Sequence, residues 1–164
     1  MKVIYYCYGS SHSSVVAAAI HLGNLPASPI PCFRDIMNLP YYDKATTDDL
    51  GTCTYMGTDD AGCDVYVLGT GPARRIVRRV VESIFQLCGV PRDSYVLVDT
   101  LTSIGAVTKI GGFLSRRMGL TRIGRPMTIW GIRQAYPQLA SIVAGVKSDP
   151  RYTERMRKSV STLS

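Results

Sequence analysis

The sequence predicts an α/β fold: a three-layer sandwich with a mostly parallel central sheet and an antiparallel hairpin at residues 52–68. Three observations carry that expectation. Short runs that are apolar on both faces, Val3–Tyr8, Val65–Leu68 and Tyr95–Asp99, read as buried strands. Helical patterns with a 3.6-residue apolar period lie between them. A chain of 164 residues, 46% hydrophobic and 19% charged, can bury about two-thirds of its surface as one domain spanning residues 1–164.

The elements follow in order. Val3–Tyr8 is rich in β-branched and aromatic residues and forms the first strand. Gly9-Ser10-Ser11-His12-Ser13-Ser14 turns the chain into a helix over Val15–Leu22, capped by Ser13 or Ser14 and stopped by Gly23 with Pro26 beyond. Residues 24–50, rich in Pro, Asn and Asp, form a long irregular connection with a short helix around Phe33–Asn38. Thr52–Thr58 and Asp64–Leu68 flank the acidic turn Asp59-Asp60-Ala61-Gly62 as a hairpin. After Gly69-Thr70-Gly71, Pro72 suits the first position of a helix, and Ile76, Val77, Val80, Val81, Ile84, Phe85 and Cys88 keep helical period until Gly89. Tyr95–Asp99 is a further strand, and Ile104–Met118 a helix interrupted by Gly105, Gly111 and Gly112. Met127–Trp130, after Arg125-Pro126, reads as a short strand with Trp130 in the core. Pro137 starts a helix to Lys147, and Asp149-Pro150 leads into a charged terminal helix.

The formal net charge of +7 is uneven: residues 1–73 carry three basic and seven acidic residues, and residues 74–164 carry sixteen basic and five acidic. A basic second half attracts phosphates or acidic partners. Aromatics do not interleave with it, and neither a zinc-finger nor an RNA-recognition signature occurs, which argues against a dedicated nucleic-acid role. Cys7, Cys32, Cys53, Cys63 and Cys88 form no C-x-x-C pair, which speaks against a disulfide framework and a structural zinc site. Cys53 and Cys63 are placed to meet across the hairpin, although free thiols are the commoner state in a reducing compartment. No run of about eighteen apolar residues predicts a membrane span, and the first residues lack signal-peptide features, so a cytoplasmic protein is expected.

Sites in parallel sheets gather at the carboxyl ends of strands. That rule selects Gly9–Ser14, Gly69–Pro72 and Asp99–Ser103. In the first loop, helix-start amides can hold an anion. Gly9 allows close approach, Ser10, Ser11, Ser13 and Ser14 offer hydroxyls, and His12 a titratable group. The loop lacks the second glycine and the lysine of the nucleotide-binding G-x-x-x-x-G-K-[ST] pattern. Gly69, Thr70 and Gly71 open a helix whose first turns hold Arg74, Arg75, Arg78 and Arg79, against the dipole by about 0.3–1 kcal/mol per exposed group. A bound phosphate would offset that cost. Asp99 ends an apolar strand, where an aspartate can support a metal. His21, in the last turn of its helix, reads as structural.

The segment Tyr5-Tyr6-Cys7-Tyr8-Gly9-Ser10-Ser11-His12-Ser13-Ser14, continuing to Gly23, resembles a bacterial family found mainly in Firmicutes and catalogued as domain of unknown function 3189. The resemblance implies that Cys7, Gly9, His12, Ser13 and Ser14 act as one unit. Cys7-x-Gly9 with Ser13-Ser14 also resembles the low-molecular-weight tyrosine phosphatase loop, Cys-x-Gly-x-x-x-Arg-Ser. Asp149-Pro150 is comparable with that family's late Asp-Pro, whose Asp is the general acid. Ser13 stands at its arginine position, where no charge is left to hold phosphate oxygens. Three functions follow as expectations. The first is binding of a phosphate-containing small molecule or nucleotide at Gly9–Ser14, with Arg74 and Arg75 neutralising charge and with phosphoryl-transfer or hydrolase chemistry open to His12, Cys7 and Asp99. The second is a non-enzymatic protein docking an acidic partner through its basic half. The third is a degenerate thiol phosphatase using Cys7. None names a cofactor.

Overall fold

The computed structural model describes residues 1–101 and 121–162. Four strands, β1 (Lys2–Cys7), β2 (Cys53–Thr58), β3 (Asp64–Gly69) and β4 (Tyr95–Asp99), form one sheet in the order β2-β3-β1-β4. β1 pairs in parallel with both β3 and β4, and β2 closes an antiparallel hairpin with β3. The α/β sandwich and its hairpin are as the sequence predicts. Among the described residues the helices are α1 (Ser13–His21), α2 (Phe33–Met37), α3 (Arg74–Leu87), α4 (Thr121–Lys147) and α5 (Pro150–Thr162). The expected helix over Ile104–Met118 lies outside the described residues.

Period-2 alternation divides the sheet's two faces. Val3 and Tyr5 of β1, with Val65 and Val67 of β3, face the main core with α1, α4 and Tyr152 of α5. Ile4, Tyr6 and Leu68 face α3 through Val77, Val81 and Phe85. Every residue of α1 is buried, the apolar run Val15–Ile20 together with Ser13, Ser14 and His21, because the sheet and α4 both pack against it. It ends in a Schellman motif: Gly23, at φ +76°, donates to the Ile20 carbonyl, and Asn24 donates to Ala19. No described helix is long and apolar enough to cross a membrane.

Two sequence expectations are overturned around Trp130. Met127–Trp130 is not a strand but part of α4, which starts at Thr121 rather than Pro137 and runs with Pro126 and Pro137 inside it. The buried residues Ile129, Ile132, Tyr136, Leu139, Val143 and Val146 recur at spacings of three and four, one stripe against α1. Burying six such side chains is worth roughly 1.5–3 kcal/mol each, which outweighs about 3 kcal/mol for each internal proline. Trp130 falls on the other face of that helix and is 53% exposed, so it is not core. Cys53 pairs with Leu68 at one end of the hairpin, while Cys63 precedes Asp64 at the other, so the two do not meet. All five cysteines are free.

Leu139→Ala is expected to cost about 2–5 kcal/mol by opening a cavity in the α1–α4 contact, a fall in Tm of roughly 4–20 °C. Arg133→Ala, exposed on the same helix, is expected to stay within about 0.5 kcal/mol. Equal losses in thermal unfolding would contradict the stripe.

Candidate functional site

Because β1 lies between two parallel neighbours, the carboxyl ends of β3, β1 and β4 stand side by side, with Cys7 opposite Gly69 and Tyr6 opposite Asp99. Two buried threonines clamp the end of β1. Thr70 donates its amide (2.9 Å) and hydroxyl (3.0 Å) to the Cys7 carbonyl, and Thr100 donates its amide (3.0 Å) and hydroxyl (3.1 Å) to the Tyr6 carbonyl. Gly71 adds an amide bond to the Tyr8 carbonyl at 2.8 Å. A Cβ on Gly69 would sit 3.3 Å from the Gly9 carbonyl carbon and from Ser10 Oγ, and 3.1 Å from Leu50, so glycine permits this approach of loop to strand. Ser10 itself is buried and left-handed, at φ +46°.

The serines do not cap α1, contrary to the sequence expectation. The N-cap is His12, and no side chain caps the helix. Each of three serine hydroxyls is engaged elsewhere. Ser11 Oγ donates to the Gly9 carbonyl (3.1 Å), Ser13 Oγ lies 2.9 Å from Thr100 Oγ1, and Ser14 Oγ lies 3.1 Å from Cys7 Sγ. Since Thr100 gives its only hydroxyl proton to Tyr6, Ser13 is the donor of that pair. The four serines are buried and fix the loop's shape. The first intrahelical bond runs from the Val16 amide to the His12 carbonyl, so the amides of Ser13, Ser14 and Val15 precede it and carry the positive end of the helix dipole.

His12 Nε2 lies 3.1 Å from Asp43 Oδ1, its side chain 12% exposed against 2% for the aspartate. Tyr42 packs its ring edge-on to the imidazole at 5.2 Å, and the Asp43 amide donates to the Ser11 carbonyl at 3.0 Å. The connection after α2 thus folds against the serine loop. A carboxylate at Nε2 favours the tautomer with its proton there and leaves Nδ1 as the basic nitrogen. Asp43, at φ +56°, gave no signal in the sequence beyond its place in a polar connection.

The sheet divides two of the predicted catalytic residues, Cys7 and Asp99. Cys7 shares the α1 face with Val3 and Tyr5, whereas Asp99, opposite Tyr6, belongs to the α3 face. Arg74 Nη1 donates to Asp99 Oδ2 at 3.2 Å, and Asp99 Oδ1 accepts the Leu101 amide. Arg74 therefore engages Asp99 rather than the serine loop, and Arg75 is exposed. The pair is partly exposed, a class worth about 0–1 kcal/mol. Of the three selected loops, the first and second meet through Gly69 and Thr70, and the third joins them through Thr100. Ser103 lies outside the described residues. Asp149, the residue comparable with a phosphatase general acid, is bound by Arg151 at 2.7 Å, which draws its carboxyl down to about 2. Among the described residues no three His, Cys, Asp or Glu side chains gather as a metal site.

A second polar cluster occupies the opposite end of the sheet. His21 is buried, its Nδ1 2.7 Å from the Tyr5 hydroxyl and its Nε2 2.7 Å from Asp59 Oδ2. Tyr152 of α5 donates to the same carboxylate oxygen at 2.9 Å, and Asp59 Oδ1 accepts the Ala61 and Cys63 amides. The structural reading of His21 holds, but burial lowers its pKa, against the pull of Asp59, so the ring is held neutral rather than as a cation serving the helix dipole.

No curated protein and no solved structure matches the chain. Residues 2–148 match the family described as "Protein of unknown function (DUF3189)", a span that takes in the serine loop, the threonine clamp, both histidine–aspartate pairs and α4. The chain therefore belongs to the DUF3189 family.

Proposed function

We propose that the protein binds a phosphate-containing small molecule or nucleotide over the start of α1. The observation that carries this reading is the uncapped first turn of α1, whose amides precede the first intrahelical bond while the neighbouring serine hydroxyls are turned to other partners. An anion at such a terminus satisfies those donors and gains from the dipole. The place agrees with the rule for parallel sheets, the carboxyl edge where connections depart to either side of β1. His12, oriented by Asp43, stands beside it with a basic nitrogen and would act as acid or base if phosphoryl transfer or hydrolysis occurs. The five free thiols support a reducing, cytoplasmic setting.

A second reading, docking of an acidic partner, is favoured by α3. That helix has no buried residue, exposes Ile76, Val80, Ile84 and Leu87, and carries the exposed Arg75 and Arg79. The two readings separate in one experiment. Thermal unfolding with millimolar inorganic phosphate or a nucleoside phosphate is expected to show a rise in Tm, since ligand at a hundred times its Kd adds about 2.7 kcal/mol. His12→Asn places a neutral acceptor at the N-cap, where it competes for the same amides. That variant is expected to lose the phosphate-dependent rise. No rise in the wild type, or an unchanged rise in the variant, would remove the anion site and leave the docking reading.

The thiol-phosphatase reading is weakened by the side chains that would replace its arginine: Ser13 is bonded towards Thr100 and Arg74 towards Asp99. Hydrolysis of p-nitrophenyl phosphate is expected to stay at background. Turnover that disappears in Cys7→Ser would restore that reading.

A further inference from the structure

The Tyr5–His21–Asp59–Tyr152 cluster joins four parts of the chain: β1, the end of α1, the turn between β2 and β3, and the C-terminal helix α5. Tyr152 is the one buried side chain among the described residues of α5; Met156 also packs, partly buried, against the core, and Arg151 bonds to the Arg92 and Tyr95 carbonyls. With Asp59 ionised, one arrangement of protons satisfies every bond in the cluster. Asp59 accepts four donors, the Ala61 and Cys63 amides, the Tyr152 hydroxyl and His21 Nε2–H. His21 Nδ1 then carries a lone pair and accepts the Tyr5 hydroxyl proton.

We propose that this cluster is an acid-sensitive latch for α5: the helix stays docked while His21 is neutral and lets go when His21 takes up a proton. A proton added at Nδ1 would face the proton of Tyr5, and one of the two would be left without an acceptor in a closed interior. The charged and titratable groups around the ring come from every element packed on it. Asp59 favours the imidazolium, Lys147 at the end of α4 opposes it, and Tyr5 and Tyr152 are neutral phenols. Burial leads the balance and keeps the ring's proton affinity below its ordinary value. The rings of Tyr5 and Tyr152 stand edge-on to the imidazole at 5.8 and 5.7 Å, so undocking α5 strips one of these covers and lets water reach His21.

The undocked state, with a hydrated histidine, binds a proton near pH 6.5, and the docked state binds it only at lower pH. Docking is therefore fully present above about pH 6.5 and weakens as pH falls below it, by up to about tenfold per pH unit for one proton. Asp59 works in the same direction only in the more acid range, below that of an ordinary carboxylate. Burial pushes its carboxyl up, but the Cys63 amide, His21 and Tyr152 together hold it below its usual value.

Hydrogen exchange of the full chain, corrected for intrinsic rates, tests this between pH 7.5 and 5.5. Protection of the α5 amides is expected to fall below about pH 6.5, by at most about tenfold per unit, while β1 and β3 keep theirs. His21→Gln, which offers a donor to Asp59 and an acceptor to Tyr5 but does not titrate, is expected to abolish that dependence. The latch is overturned if α5 loosens equally in His21→Gln, or if α5 and the sheet lose protection together. Should that variant not fold, Tyr152→Phe keeps the ring and removes the bond to Asp59. It is expected to lower α5 protection several-fold at pH 7.5 with the sheet unchanged, and undiminished protection would equally overturn the latch.

Discussion

Two threonines on the last carbonyls of β1 hold the molecule's carboxyl edge together. Thr70 and Thr100 each spend both an amide and a hydroxyl on the strand between them, so the chain leaving β3 and the chain leaving β4 are tied to the end of β1. Several contacts hold the loop that follows Cys7: Gly69 lets it pass close, Thr100 takes the Ser13 hydroxyl, and Ser14 lies against the Cys7 thiol. The direction of α1, and with it the direction of its dipole, follows from those contacts. This helix has no side-chain cap, and the contacts of its neighbours orient it.

The two histidines show how one chemistry serves opposite ends of a sheet. Each lies beside an aspartate far away in the chain, Asp43 for His12 and Asp59 for His21. His12 is partly open to solvent at the carboxyl edge, and His21 is sealed at the amino edge between two phenols. Four of the seven aspartates in residues 1–73 perform such internal service. Asp43 and Asp59 orient rings, and Asp35 and Asp49 accept the amides of Cys32 and Thr46. The arginines of α3 find only partial pairing, Arg74 with Asp99 and Arg78 with Glu82.

Much of the fold was legible because the signals are local. The strands β1, β3 and β4 are short runs apolar on both faces, and α1 and α3 are bounded by Gly23 and Gly89. The turn Asp59–Gly62 announced the hairpin. Legibility failed where tertiary packing overrides a local breaker. Pro126 and Pro137 made residues 127–130 look like a separate strand, although Ile129, Ile132, Tyr136 and Leu139 carry the helical stripe across Pro137 in a helix that also contains Pro126. The serine loop was legible as a place but not as an arrangement. The partners of Ser13 and His12 lie 87 and 31 residues away, and no spacing within the loop announces them. Arg74 and Asp99 were each legible as candidates, but the alternation that sends Cys7 to one face of the sheet and Asp99 to the other is visible only once the strand register is known.

The anion reading makes a residue-level demand that can be met or refused. In an amide-resolved NMR titration with inorganic phosphate, saturable shifts should concentrate on the backbone of Ser13, Ser14 and Val15, with the His12 ring following. Shifts confined to the arginines of α3, or a loop that stays silent while phosphate rises through the millimolar range, would show that the open end of α1 is not where this protein meets a ligand.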